Sequence, residues 1–208
     1  DIHLASDNIS IAPAAFTVAA GGTNSEVFLN VGNAASNISL GGVQAAGNLD
    51  LTQAELQSIS AGNNLVVIGR SALANTVTAA NPNPATTDNR YTGAISVDSA
   101  IDATGGTGFT DLTLAAGGNI STGAAGLLTV SGQTTLDSGA NINGASGTGA
   151  NKFNLVTGTL AARADGNIQI TESSTDGFLT TTTVNANGSR TGINGTNTSG
   201  VVNAANVA

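Results

Sequence analysis

Short segments in which apolar and polar residues alternate, separated by turns of small residues, recur along the chain. Within residues 111–121, Leu112 and Leu114 are predicted to face one side of a strand and Thr113 the other, because side chains alternate along a strand. Residues 115–118, Ala-Ala-Gly-Gly, interrupt this alternation and predict a turn before the next strand. A unit of this size buries little surface alone, so it must stack on a similar unit.

A motif marks these units: a small residue and an asparagine precede a branched aliphatic residue. It occurs as Gly47-Asn48-Leu49, Gly118-Asn119-Ile120, Ala140-Asn141-Ile142, Gly166-Asn167-Ile168 and, more weakly, Asp7-Asn8-Ile9. The steps from Asn119 to Asn141 and from Asn141 to Asn167 are 22 and 26 residues, as expected for one coil of a solenoid rather than a propeller blade. The unequal steps predict loops that leave the coils. The pattern thus predicts an all-β fold, a parallel β-helix (β-solenoid) with three short strands per coil.

Composition favours one continuous unit of this kind. Only 9% of residues are charged and 3% aromatic, whereas 40% are hydrophobic and 28 are glycine, which suits a narrow core of small aliphatic side chains. No shift in composition marks a boundary, so residues 1–208 are predicted to form a single solenoid segment with loop insertions near 79–92 and 185–200. Neither end shows a clear capping segment. This predicts a piece of a longer rod or end-to-end stacking of copies.

Residues 51–69 depart from the repeating pattern. Thr52 and Glu55 have the spacing of a capping box, and Leu56 and Ile59 follow at helical spacing. This stretch predicts about one turn of helix that leads into a strand at 65–68.

The same stretch resembles a segment that recurs in large bacterial exoproteins of the filamentous-haemagglutinin type, which are secreted by the two-partner pathway. Residues 51–69 are similar to the family pattern L-T-x-A-E-L-x-x-I, and the Gly-x-Ile-x-Val of 93–97 and the Leu-Thr-Leu of 112–114 follow in the family's order. The resemblance covers about Leu49 to Ile142. It implies a right-handed parallel β-helix in an extracellular adhesin or surface fibre of a bacterium, and an outer-membrane secretion partner.

The strand pattern stops between residues 78 and 91, where Pro82 and Pro84 exclude a central strand because proline cannot donate a ladder hydrogen bond. The predicted loop carries the candidate partner-binding residues. Loops on a rigid scaffold often carry contacts, so a host-cell or glycan ligand is one expectation here, and an inert insertion is the other. The candidate residues are Asn83, Asp88, Arg90 and Tyr91.

Charge and residue usage exclude several classes of partner. The net charge is −8 and the five basic residues are scattered, whereas nucleic-acid binding needs clustered lysine and arginine. No apolar run approaches the ~18 residues of a membrane span. The absence of cysteine excludes disulfides and thiolate metal sites.

A catalytic constellation is difficult to assemble from this sequence. His3 is the only histidine and is predicted to face outward from a strand. The enzyme alternative is a β-helical polysaccharide lyase or hydrolase that pairs carboxylates from neighbouring coils; its candidates are Asp98, Asp102, Asp111 and Asp137. Such sites also need basic and aromatic residues, which are scarce here. Residues 105–111 approach a calcium-binding nonapeptide but contain one residue too many, and they predict a turn.

These observations predict a structural or adhesive β-solenoid segment of a secreted surface protein, without catalytic residues, cofactor or metal. It would act as a rigid spacer or fibre that presents adhesive regions. The alternative is an extracellular filament subunit that joins its own copies end to end.

Overall fold

The structure of the protein is a computed structural model. It describes residues 1–11, 18–23, 25–33, 35–43, 45–62, 64–69, 93–105, 108–144, 152–173, 180–187, 190–196 and 200–204. The elements in the described residues are β1 (Ile2–Ala5), β2 (Val18–Ala20), β3 (Val27–Asn30), β4 (Ile38–Leu40), β5 (Leu49–Leu51), α1 (Gln53–Leu56), β6 (Ile59–Ala61), β7 (Leu65–Ile68), β8 (Ile95–Val97), β9 (Ala100–Asp102), β10 (Asp111–Ala116), β11 (Ile120–Thr122), β12 (Leu127–Ser138), β13 (Ile142–Gly144), β14 (Phe153–Ala164), β15 (Ile168–Glu172), β16 (Thr180–Asn187), β17 (Arg190–Thr196) and β18 (Gly200–Ala204).

Sixteen of the described strands form one curled sheet, and β2 and β6 form a separate parallel pair. Within the described part of the chain, the antiparallel pairings all involve β17 or β18. The remaining pairings are parallel. The fold is therefore all-β and built mainly of parallel strands, as the sequence predicts, and it is compatible with a β-solenoid.

Parallel pairing places these strands in three lines. Line A contains β1, β3, β7, β10, residues 134–138 of β12 and residues 159–164 of β14. Line B contains β5, β4, β8, β11, β13 and Ile168 of β15. Line C contains β9, residues 127–130 of β12, residues 153–157 of β14 and residues 170–172 of β15. The long strands β12 and β14 each run from line C into line A, so the sheet curls around its interior.

Alternate side chains of each line point inward and join one hydrophobic core. In line B they form a column of aliphatic residues in direct register, all of them buried: Leu49, Ile38, Ile95, Ile120, Ile142 and Ile168. Full burial of one such side chain contributes about 1.5–3 kcal/mol relative to leaving it exposed. The column explains why a branched aliphatic residue recurs after each asparagine.

The asparagines of the repeated motif stack on one another directly before the strands of line B. Asn119 Oδ1 accepts a hydrogen bond from the Asn141 backbone N–H at 3.0 Å, and Asn141 Oδ1 accepts one from the Asn167 N–H at 2.9 Å. Each amide thus ties one repeat to the next. The prediction that the copies at 118–120, 140–142 and 166–168 stack on one another is confirmed.

Helix α1 forms through the predicted capping box. Thr52 Oγ1 accepts a hydrogen bond from the Glu55 backbone N–H at 3.3 Å, and Glu55 Oε2 accepts one from the Thr52 N–H at 2.9 Å. These two bonds satisfy donors that a helix of any length leaves free at its start.

The helix covers the edge of line C beside β9. The Asp102 N–H donates to Gln53 Oε1 at 2.9 Å, and Gln57 Nε2 donates to the Asp102 carbonyl oxygen at 2.8 Å. Residues four apart lie on the same side of a helix. The two glutamine amides therefore supply the hydrogen bonds that a neighbouring strand would make.

The opposite end of the sheet differs from the sequence-based expectation. Strand β17 pairs antiparallel with residues 159–164, and β18 pairs antiparallel with β15. The expectation of a loop at 185–200 and of uncapped ends therefore fails here: much of that segment is strand and covers the parallel edge. The physical reason is that ladder hydrogen bonds come from the backbone, so a Gly-Asn-Thr sequence can still form them.

Helix α1 has four residues. Among the described residues, no helical segment combines the length and the apolar character that crossing a bilayer requires.

Candidate functional site

The predicted partner-binding loop lies outside the described residues. This applies to Asn83, Asp88, Arg90 and Tyr91 alike, so their role stays a prediction.

The four carboxylates considered for catalysis belong to different parts of the fold, and each has its own partners. Asp98 follows β8 in line B and accepts hydrogen bonds from serine hydroxyls. Asp102 Oδ1 accepts from the Thr104 N–H at 3.1 Å, and Asp111 Oδ1 accepts from the Gln133 N–H at 2.8 Å. These contacts close local turns and tie strands together, and none of them joins two of the four carboxylates.

The fourth carboxylate, Asp137, forms a buried ion pair with Arg163. The two residues are direct partners in the parallel register of β12 and β14. Arg163 Nε donates to Asp137 Oδ1 at 3.0 Å and Nη2 donates to Oδ2 at 2.6 Å. The side chains are 3% and 0% exposed. This bidentate geometry is the strongest form of charge-assisted hydrogen bonding, and it occupies both carboxylate oxygens.

His3 lies on the exposed side of β1, as predicted. Its ring stacks on Phe28 of β3, with ring centroids 4.3 Å apart and planes 2° from parallel. The contact joins direct register partners in line A and gives His3 a packing role.

The candidate site is a groove of about 330 Å³ on the outward face of line B. Strands β4 and β5 are parallel neighbours, so the connection of residues 41–48 must run back along the strands before β5 begins. Gly41 and Gly47, near the ends of this connection, have φ of +72° and +81°, a conformation that favours glycine. The groove lies between this connection and the outward side chains of line B. Its lining residues are Asn37, Ser39, Val43, Ala45, Asn48, Asp50, Ala94, Ser96 and Asp98.

Asp98 accepts two hydrogen bonds from serine hydroxyls at one side of the groove. Ser39 Oγ donates to Asp98 Oδ2 at 2.6 Å, and Ser96 Oγ donates to the same oxygen at 3.1 Å. Ser39 and Ser96 are direct register partners in β4 and β8. Both serine hydroxyls therefore use their protons in hydrogen bonds to Asp98.

Asp50 is the register partner of Ser39 in β5. It is only 8% exposed. Asp50 Oδ2 accepts a hydrogen bond from the Ala45 N–H at 2.5 Å, which holds the connection against the strand. Asp50 Oδ1 is buried and has no hydrogen-bond partner among the residues that the structure describes. Asp50 also lines a second cavity of about 240 Å³, next to residues 9–11.

Sequence reasoning did not select Asp50 or Ser39. Both stand between two aliphatic residues of a strand, Leu-Asp-Leu and Ile-Ser-Leu, so alternation predicts that they face outward, where polar side chains are ordinary. Their proximity arises because β5 pairs with β4, the strand just before it in the chain. The one available signal was an aspartate at the centre of a very short strand, since aspartate is depleted in strands.

A metal centre is not indicated at this groove. Across the residues that the structure describes, no group of three or more histidine, cysteine, aspartate or glutamate side chains is placed to hold a metal ion. Comparison of the chain with protein-family models, with curated proteins and with solved structures gave no match.

Proposed function

We propose that this chain is a rigid structural segment of a secreted bacterial surface protein. In this proposal it is a right-handed parallel β-solenoid with three short strands per coil, one strand in each of lines A, B and C. Its role is to hold other, adhesive regions of the same protein away from the cell surface.

The observation that carries the proposal is the continuous aliphatic column of line B. Six buried residues in register, from Leu49 to Ile168, are joined by parallel ladders. Such stacking makes each repeat depend on its neighbours, which is the source of stiffness in solenoids. The amide hydrogen bonds between Asn119, Asn141 and Asn167 add to the same coupling.

The filament alternative has less support. End-to-end growth requires a free strand edge at each end of a subunit. Strands β17 and β18 pair antiparallel with β14 and β15, so the parallel ladder does not continue beyond those two strands, which counts against stacking copies coil on coil through that end.

Deletion of one complete repeat, residues 119–140, tests the proposal. The deletion joins Gly118 to Asn141, so that Ile142 takes the place of Ile120 opposite Ile95, because these residues share one column. We expect the shortened chain to fold with an unchanged β circular-dichroism spectrum and to lose about 4.8 Å of length in solution scattering. Antibody labelling of intact cells of the source organism should detect it at the normal level.

The matched control deletes only residues 119–129, which removes half a repeat and shifts the remaining strands out of register. We expect this variant to unfold and to be lost from the cell surface. If the two deletions are equally damaging, the coil architecture is wrong. If the full-repeat deletion folds but neither it nor the intact chain is labelled on cells, the surface role is wrong.

A further inference from the structure

One carboxylate oxygen in the groove on line B, Asp50 Oδ1, is an unused hydrogen-bond acceptor. The hydrogen-bond donors nearest to the carboxylates already have acceptors: Ser39 and Ser96 donate to Asp98, and the Ala45 N–H donates to Asp50. Asp50 Oδ1 keeps no partner although the residue is 8% exposed. An unsatisfied buried acceptor destabilises the folded state, and more so when it is charged. A ligand for this groove must therefore donate hydrogen bonds.

The charge of the groove specifies the ligand further. Two carboxylates, those of Asp50 and Asp98, line it, and among the described lining residues none is lysine, arginine or histidine. A cationic donor would satisfy Asp50 Oδ1 and neutralise charge at the same time, and charge-assisted hydrogen bonds are roughly twice as strong as neutral ones.

The apolar residues of the groove favour an alkyl ammonium group over a sugar. Val43, which is 92% exposed, lies on the connection that forms one wall, together with Ala45, and Ala94 completes the apolar surface. These side chains match the four-carbon stem of lysine, which packs on apolar surface while its charged head reaches a polar group. In the part of the lining that the structure describes, no aromatic ring is present on which a sugar ring would stack.

We propose that this groove binds a lysine side chain of a partner protein, with the ammonium group donating to Asp50 Oδ1 and Asp98. Because Asp50 Oδ1 is shielded from solvent, binding requires the contact between the Ala45 N–H and Asp50 to loosen. The proposal is independent of the spacer role, since the intact solenoid is needed only to hold the groove.

The test titrates the full chain with two short peptides that differ at one position, acetyl-Gly-Lys-Gly-amide and its norleucine counterpart. Norleucine keeps the alkyl stem and lacks the ammonium group. Backbone amide signals of Ala45, Ser96 and Asp98 in heteronuclear NMR spectra report binding. We expect the lysine peptide to shift these signals at millimolar concentration, and the norleucine peptide to leave them unchanged. Raising the salt concentration should weaken the binding.

Three variants with the same change in net charge identify the residues responsible. We expect Asp50→Asn and Asp98→Asn each to weaken lysine-peptide binding about tenfold, which corresponds to about 1.4 kcal/mol. The control is Asp7→Asn, which lies outside the groove lining and should leave the affinity unchanged. Asp98 is exposed, so its variant keeps the test decisive if Asp50→Asn does not fold.

Three outcomes would overturn the proposal. They are equal shifts with both peptides, an equal loss of affinity in Asp7→Asn, and no shift of the groove signals at any peptide concentration reached.

Discussion

Asp137 and Asp50 are both buried aspartates in strands of the same sheet, but their surroundings are opposite. Asp137 is completely buried, and both of its oxygens accept hydrogen bonds from Arg163 in the next strand. Asp50 is 8% exposed, and only one of its oxygens has a partner, the Ala45 N–H. The charge of Asp137 is neutralised by Arg163, whereas Asp50 has one oxygen that can still accept a hydrogen bond.

This difference indicates what each residue contributes. A buried carboxylate with a bidentate arginine fixes the register of two strands, because a shift of one residue would separate the charges. A buried carboxylate with a free oxygen contributes less to stability and keeps a capacity for binding. Burial alone therefore does not separate structural from functional acidic residues; the hydrogen-bond partners do.

The largest expected effect comes from breaking the pair. Asp137→Ala removes the carboxylate that accepts the hydrogen bonds from Nε and Nη2 of the buried Arg163, and we expect the free energy of unfolding to fall by about 4 kcal/mol. Urea denaturation followed by circular dichroism measures it. The control replaces both residues, with Asp137→Leu and Arg163→Met, and should recover most of the loss, because it removes both members of the pair. A double variant as unstable as the single one would contradict the charge-based explanation.

The aliphatic column provides an uncharged reference for this loss. Ile142→Ala removes a fully buried side chain between Ile120 and Ile168, and we expect a loss of about 3 kcal/mol from the lost burial and the remaining cavity. Ile142→Val should cost about 1 kcal/mol in the same denaturation experiment. A loss below that of the valine variant would indicate that the column is not packed as described.

A smaller effect is expected from the asparagine stack. Asn141→Ala removes the acceptor of the Asn167 N–H and the donor to Asn119 Oδ1, and we expect a loss of about 1 kcal/mol, since these groups are partly exposed. Faster amide hydrogen exchange at Asn167 should accompany it. Unchanged exchange at that position would show that the side-chain bond does not hold the turn.

The smallest effect is expected from Asp50→Asn. The amide oxygen can still accept the Ala45 N–H, and the substitution removes a negative charge whose second oxygen has no partner. We expect the free energy of unfolding to change by less than about 0.5 kcal/mol, in either direction. A loss comparable to that of Asp137→Ala would show that Asp50 is a structural residue, and the contrast between the two aspartates would disappear.

The sequence was informative wherever the interactions repeat. Recurrence of asparagine before an aliphatic residue predicted which residues stack, and the Thr52 and Glu55 spacing predicted α1. The direct parallel pairing of β4 with β5 was not predictable, because nothing in the local pattern of 38–51 indicates that two successive strands pair. For the same reason the groove, which depends on that pairing, could not be found from the sequence.

The pair formed by Asp137 and Arg163 was missed for a different reason. Alternation places both on the outward side of their strands, where charged residues are usually solvated, and a separation of 26 residues does not reveal that they are neighbours. Likewise, the low hydrophobicity of 185–200 concealed strand β17, since backbone ladders do not depend on apolar side chains.

Helix α1 has a consequence for the behaviour of the chain at high concentration. An uncovered parallel edge is a template on which the strands of other molecules add, and repeated addition leads to amyloid-like aggregates. At β9 the amides of Gln53 and Gln57 occupy the backbone groups of Asp102, and a helical turn cannot itself recruit a strand. One turn of helix therefore blocks the addition of a strand at this edge of line C, and it uses only a few residues.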